Sequence, residues 1–145
     1  MADFPKVQQV STKYLEQTIR DSDARTVALI KGLDDNQLMG PRLGIVNPML
    51  WEIGHIAWFH EKFILRDRDQ RLPVLENVDA LYDSVAVAHA TRWNLDLPDL
   101  KATVKYRETI RDLIIERLGS DDLASVENSY FTQLTAFHED MHDEA

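Results

Sequence analysis

The residues best suited to chemistry in this sequence are two histidines four apart, in His138-Glu139-Asp140-Met141-His142. On a helix, such a pair lies on one face about one turn apart, so both imidazoles can reach one ion. At about 100° per residue the pair falls on the flank of an apolar stripe, beside Phe131, Leu134 and Met141, and points into a bundle. Two buried imidazolium groups would be costly. Two neutral imidazoles on one metal remove that cost, since their lone pairs bind the ion and their remaining N–H groups donate to acceptors behind them. An isolated pair reads equally well as one satisfied core histidine and one partly exposed neighbour. His55 adds a third candidate in the middle of the most apolar segment, with Trp51 one turn before it and Trp58 and Phe59 one turn after. A lone histidine there reads as a hydrogen-bonded core residue. Taken with a pair on another inward-facing helix, it reads as a ligand, and His55, His138 and His142 are the expected metal set.

Other candidates fall away on spacing or composition. His60 lies about 140° around the helix from His55, and His89 has no partner at helical spacing, so both are expected to be non-ligands. Glu139, Asp140 and Asp143 adjoin the pair and offer acceptors for its N–H groups, yet on an acidic chain they are expected at the solvated surface. The string also matches the zinc-peptidase pattern His-Glu-x-x-His, but that motif is short, and no groove with a sheet edge or third ligand downstream is evident. The chain has no cysteine, so thiolate nucleophiles and cysteine-held metals are excluded. Its 16 basic residues against 25 acidic ones give a net charge of −9, with no basic stripe to follow a phosphate backbone or an anionic bilayer. Neither nucleic acid nor membrane is an expected partner. No apolar run approaches the roughly 20 residues of a membrane span, and the N-terminus does not read as a secretory signal, which makes the cytoplasm the expected location.

The elements that must position these histidines read as helices in one domain of 145 residues. Val7, Val10, Tyr14, Ile19, Val27 and Ile30 predict a first long helix from Val7 to Leu33, with Gly32 at its end. Asp34 to Leu38 reads as a turn. Asn47-Pro48 reads as a cap followed by the first position of a second helix, which runs to Leu65 and is apolar around most of its circumference. A third is predicted from Asp99 to Leu118, with Leu100, Val104, Ile110, Leu113, Ile114 and Leu118 inward and Gly119 as terminator. The fourth carries Leu123, Val126, Tyr130, Leu134, Phe137 and Met141, spaced as a bundle-facing stripe. The fold class is therefore all-α, a four-helix bundle. About 30 residues between Asp67 and Leu97 form a long crossover between helices 2 and 3, expected to pack over one end of the bundle.

With these residues in view, the chain resembles the DinB-like N-terminal domain of the ergothioneine-synthesis oxygenases (hercynine oxygenase) and their selenoneine-forming relatives. The resemblance rests on Asn47-Pro48-Met49-Leu50-Trp51-Glu52-Ile53-Gly54-His55-Ile56-Ala57-Trp58-Phe59, on Leu81-Tyr82-Asp83-Ser84 with His89 to Trp93, and on His138-Glu139-Asp140-Met141-His142. It implies a DinB-like bundle in which His55, His138 and His142 bind Fe(II). It further implies an O2-dependent oxidation that joins sulfur from a thiol, or selenium from a selenosugar, to the imidazole of trimethylhistidine. Three neutral histidines on one side of an octahedral iron leave positions for a soft donor and O2. That family carries a C-terminal domain resembling formylglycine-generating enzymes, which supplies much of the pocket. Because the chain stops within a helix at Ala145, it is expected to be an N-terminal part of a longer protein. The crossover is expected to cover the open face of the metal and to bring Arg92 or Tyr82 near a substrate. Within the same fold, Zn or Ni at the three histidines of a thiol transferase or hydrolase is the alternative; a non-catalytic bundle is the remaining one.

Overall fold

Ser11 starts the first helix, its hydroxyl accepting from the Tyr14 amide at 3.0 Å, and α1 runs over Thr12–Ile30. The computed structural model describes residues 8–145; Val7, expected inside this helix, lies outside the described residues. α1 buries Leu15, Ile19 and Ile30 together with the small or polar Thr12, Ser22, Asp23 and Thr26, whereas Tyr14 turns outward. The segment read as a turn is a short helix, α2 (Asp35–Met39). Asp34 accepts from the Gln37 amide at 2.8 Å and the Gln37 side chain accepts from the Asp34 amide at 3.0 Å, a reciprocal cap that satisfies two amides at once.

α3 (Met49–His60) follows Pro48. Asn47, expected to cap it, makes no capping bond, because its side chain is drawn to Glu52 and Arg92 instead. The helix continues through a π-helical stretch, Glu61–Arg66. Glu61, at the start of this wider turn, is fully buried, accepting from Tyr106 Oη at 2.6 Å and from the Val74 amide at 2.7 Å. Burial and the adjoining Glu61 carboxylate drive the Tyr106 hydroxyl pKa well above its usual value.

The crossover contains α4 (Val78–Tyr82) and a 3-10 turn at His89–Thr91. It lies along the flank of α3 and not merely over one end of the bundle. Three donors on successive turns of α3 hold it there: Trp51 Nε1 to the Leu81 carbonyl at 2.7 Å, His55 Nδ1 to the Tyr82 carbonyl at 2.8 Å, and Trp58 Nε1 to Asp79 Oδ1 at 2.7 Å. Buried indole and imidazole N–H groups need acceptors, and the crossover provides them, two from its backbone and one from the Asp79 carboxylate.

α5 (Leu100–Leu118) is capped by Asp99, which accepts from the Ala102 amide at 2.8 Å, and ends at Gly119 with φ +74°. α6 (Val126–Glu144) is capped by Ser125. The expected apolar stripe of α6 does not face the bundle: Leu134 is 37 %, Phe137 72 % and Met141 60 % exposed, and Leu123 and Val126 are exposed too. The buried face is Ser129, Thr132, Thr135, Ala136 and Glu139. Small side chains let α6 come close to α1, which answers with Thr12, Ser22 and Thr26; Ser22 donates to Asp140 and Thr26 to Glu139, while Thr12 Oγ1 is buried without a partner. Backbone bonds from Thr12 to Asp122 (3.0 Å) and from Ala124 to Val10 (2.9 Å) tie the starts of α1 and α6 together. The main core gathers Ile19, Trp51, Trp58, Ile64, Leu65, Leu81, Tyr82, Tyr106, Ile110 and Ile114. An all-α bundle of four long helices with a crossover after the second is thus the architecture, and among the described residues no helix is long and apolar enough to cross a membrane.

Candidate metal centre

α3 carries His55 to the point where α6 presents His138 and His142, and one nitrogen from each ring lies within 4.8 Å of the others. Nε2 of His138 and Nε2 of His142 are 3.1 Å apart. Two imidazole nitrogens bound to one ion at about 2.1 Å and at right angles are separated by about 3.0 Å. The pair therefore already has the spacing of adjacent ligands.

The groups behind the rings decide which nitrogen is free. The Tyr82 carbonyl can only accept, so Nδ1 of His55 carries the proton and Nε2 keeps a lone pair. Nδ1 of His142 lies 2.5 Å from Oε2 of Glu52, which has the same consequence at that ring. His138 is held by stacking on Phe59, with centroids 3.6 Å apart and planes 8° from parallel, and its buried Nδ1 has no partner. His55 stacks on Trp51 at 4.7 Å and on Trp58 at 5.7 Å.

Electrostatics keep His55 and His138 neutral. Burial pushes the His55 pKa down to about 4; His142 and Arg92 add to this, while the Tyr82 carbonyl and Glu52 oppose it. Burial, followed by repulsion from His142, His55 and His60, takes His138 down to about 2. At Glu52 burial acts upward, but bonds from His142 and Asn47 and the nearby imidazoles together outweigh it, so its pKa falls below the usual carboxylate value. Neutral imidazoles with a carboxylate behind one of them are the donor set of a divalent first-row ion, and the residues present fit such an ion.

The other residues singled out by the sequence are placed as follows. His60 is buried, with Nε2 3.0 Å from the Thr135 carbonyl, and His89 Nε2 faces the Val46 carbonyl at 2.6 Å. Glu139 is not on the surface: it is 2 % exposed and accepts from Arg107 Nη2 at 2.7 Å and from Thr26. Alternation around the helix sends it toward α1 and α5 while its neighbour His138 faces α3, so its carboxylate is committed away from the three imidazoles and the peptidase pattern is not assembled. Asp140 accepts from Arg25 and Ser22, and Asp143 from Thr26, so neither is simply solvated. Tyr82 contributes its carbonyl; its ring is buried against Gly54, where an added Cβ would overlap it, and stacks on Tyr106. Arg92 is 8 % exposed, bonded to Asn47 and two carbonyls, with its guanidinium 4.0 Å above Trp51. Sequence reasoning gave no role to Glu52 and read Asn47 only as a helix cap. The available signal was a carboxylate three residues before His55, on the same face of an otherwise apolar helix.

Comparison with known proteins gives the family of the chain. Residues 18–145 match the DinB superfamily. A hercynine oxygenase of Mycolicibacterium thermoresistibile is 28 % identical over 132 residues, 90 % of this chain and 29 % of the relative. Another, of Mycolicibacterium smegmatis, is 30 % identical over 122 residues, 83 % of this chain and 28 % of the relative. A third, of Mycobacterium tuberculosis, is 29 % identical over 123 residues. The chain thus spans less than a third of the length of these relatives. On the match over nearly all of its helices, the chain belongs to the DinB superfamily.

Proposed function

We propose that the chain is the metal-binding domain of a non-haem iron, O2-dependent enzyme that forms a C–S or C–Se bond on trimethylhistidine, with His55, His138 and His142 as the ligands. The observation that carries the reading is the convergence of three imidazole nitrogens, with the second nitrogen of His55 bonded to the Tyr82 carbonyl and that of His142 against the Glu52 carboxylate. When bound, Fe(II) supplies the redox chemistry with O2. The chain's own residues supply the rest: Tyr82 and Glu52 hold two donor rings in one tautomer, while Trp51, Trp58 and Phe59 pack them in place and limit water around them. The names of the relatives support the substrate class.

A second wall is still needed to hold a trimethylammonium substrate and a thiol or selenosugar against one ion. Leu134 and Met141 flank His138 at one turn before and one turn after, so the exposed apolar stripe of α6 borders the site. We assign that stripe to contact with a C-terminal domain of the kind the longer relatives have room for. The test is metal content after anaerobic loading with Fe(II), expected at about one equivalent. His55→Ala and His142→Ala should each lose most of it; wild-type content in both variants rejects the triad. Product formation is expected from the chain continued into a C-terminal domain and not from residues 1–145 alone, and turnover by residues 1–145 refutes the need for a second wall.

A further inference from the structure

Arg92, Asn47, Glu52 and His142 form one unbranched line of polar contacts from the crossover to the metal centre. Arg92 Nη1 donates to Asn47 Oδ1 at 2.8 Å, Asn47 Nδ2 donates to Glu52 Oε1 at 2.7 Å, and Glu52 Oε2 lies 2.5 Å from His142 Nδ1. Each link has one permitted direction. A guanidinium only donates, so Asn47 must turn its oxygen to Arg92 and its amide nitrogen to Glu52. That nitrogen needs an acceptor, so Glu52 meets it as a carboxylate oxygen, and its second oxygen, which no donor meets in hydrogen-bond geometry, is left in close contact with His142 Nδ1. The proton of His142 is thereby placed on Nδ1 and its lone pair on Nε2, the nitrogen that faces His138. Free imidazole side chains in water favour the opposite tautomer, so the line works against the intrinsic preference of the ring.

We propose that Arg92 and Asn47 are positioning residues of the metal centre, which fix the donor tautomer of His142 through Glu52. The burial of Arg92 supports this role. Its Nη2 is anchored on the carbonyls of Ser84 (3.1 Å) and Val87 (2.9 Å), while its Nε is buried without a partner. Burying a cation with one N–H unpaired costs stability, a cost that a methionine or leucine filling the same space over Trp51 would avoid. What the guanidinium adds is a fixed donor at the head of the line. The same segment supplies the Tyr82 carbonyl to His55, so the crossover sets the tautomer of two of the three candidate ligands. A role beside the ion, and not direct contact with substrate, thus accounts for Arg92.

The inference rests on His142 being a ligand, and the experiment separates the two ideas. Long-range 15N–1H correlation spectra of the metal-free chain at neutral pH report the tautomer directly, with no metal required. Wild type is expected to show His142 protonated at Nδ1. Arg92→Met should shift it toward the Nε2–H form and weaken Zn(II) binding, measured by chelator competition, by about tenfold. Asn47→Ala should do the same while leaving the carbonyl bonds of Arg92 intact, which keeps the test valid if Arg92→Met unfolds. Arg92→Lys, retaining one cationic donor, should restore part of the wild-type tautomer and affinity, which a loss of packing alone would not predict. An unchanged His142 tautomer in Asn47→Ala, with Zn(II) affinity within twofold of wild type, overturns the proposal. A tautomer that follows Arg92 and Asn47 in a chain that binds no Zn(II) upholds the line and rejects the metal reading.

Discussion

Gly54 shows how much a single position can carry at the residue scale. It lies one residue before His55, and a Cβ there would overlap the Tyr82 ring, with no flexible side-chain end to yield. Gly54→Ala must therefore push Tyr82 away from α3, and with it the carbonyl that accepts from His55 Nδ1. The expected outcome is destabilisation of about 1–3 kcal/mol together with a Zn(II) affinity roughly ten times weaker. Urea unfolding and chelator competition measure the two; a variant with wild-type values in both would show that Tyr82 is not held by this contact. Among individual residues, the three histidines were legible from the sequence because i, i+4 spacing and an apolar surround are local properties. Glu52 and Asn47 were not, because their partners His142 and Arg92 lie 90 and 45 positions away, by subtraction of their numbers.

At the scale of helices, Arg107 on α5 is the clamp that sets the register of the ligand-bearing elements. It donates to the Ile53 carbonyl on α3 at 2.9 Å, to Asp23 on α1 at 2.8 Å and to Glu139 on α6 at 2.7 Å, and is 4 % exposed. Arg107→Met leaves Glu139 without its cation, while Asp23 keeps Arg111 at 3.0 Å, and breaking a buried network in this way costs about 3–5 kcal/mol. We expect a loss of that size in chemical denaturation, reduced when Glu139→Gln is added, because the second change removes the uncompensated charge. Additive losses in the double variant would count against the clamp. This cluster also explains what helical periodicity revealed and what it did not. Helices α1, α3, α5 and α6 were visible through recurring apolar positions and the terminators Gly32 and Gly119. The facing of α6 was not, because its inner surface is Ser129, Thr132, Thr135 and Glu139; a polar face satisfied by another helix has no signature distinct from a solvated one. The crossover was legible only as a long gap, since its attachment depends on backbone carbonyls, which are the same for every sequence, and on side-chain pairs far apart in the chain such as Trp58 with Asp79.

For the whole molecule, stability should depend on acid through histidines that stay neutral in the fold. His60 is buried and its pKa is lowered, mainly by burial, from the ordinary value of 6.5. Below that value the unfolded chain binds a proton that the folded chain refuses, so its contribution is present above about pH 6.5 and lost as pH falls, by about 1.4 kcal/mol per unit for one such group. His55, held down to about 4, acts in the same sense in the metal-free chain. Urea unfolding of metal-free protein should therefore show clear weakening between pH 7 and pH 5.5, with a shallower slope in His60→Gln, whose amide can still donate to Thr135. A pH-independent midpoint across that range would contradict this account. The stacking around His55 carries a different consequence for the molecule as a whole. Of the three tryptophans, Trp51 and Trp58 stack on His55, while Trp93 donates to the Met39 carbonyl elsewhere. Two of the three indoles are thus in direct contact with a candidate ligand. Ions with partly filled d shells will darken the emission of these two indoles while Zn(II) leaves it bright, which gives the chain an optical readout of the oxidation-active ions it carries.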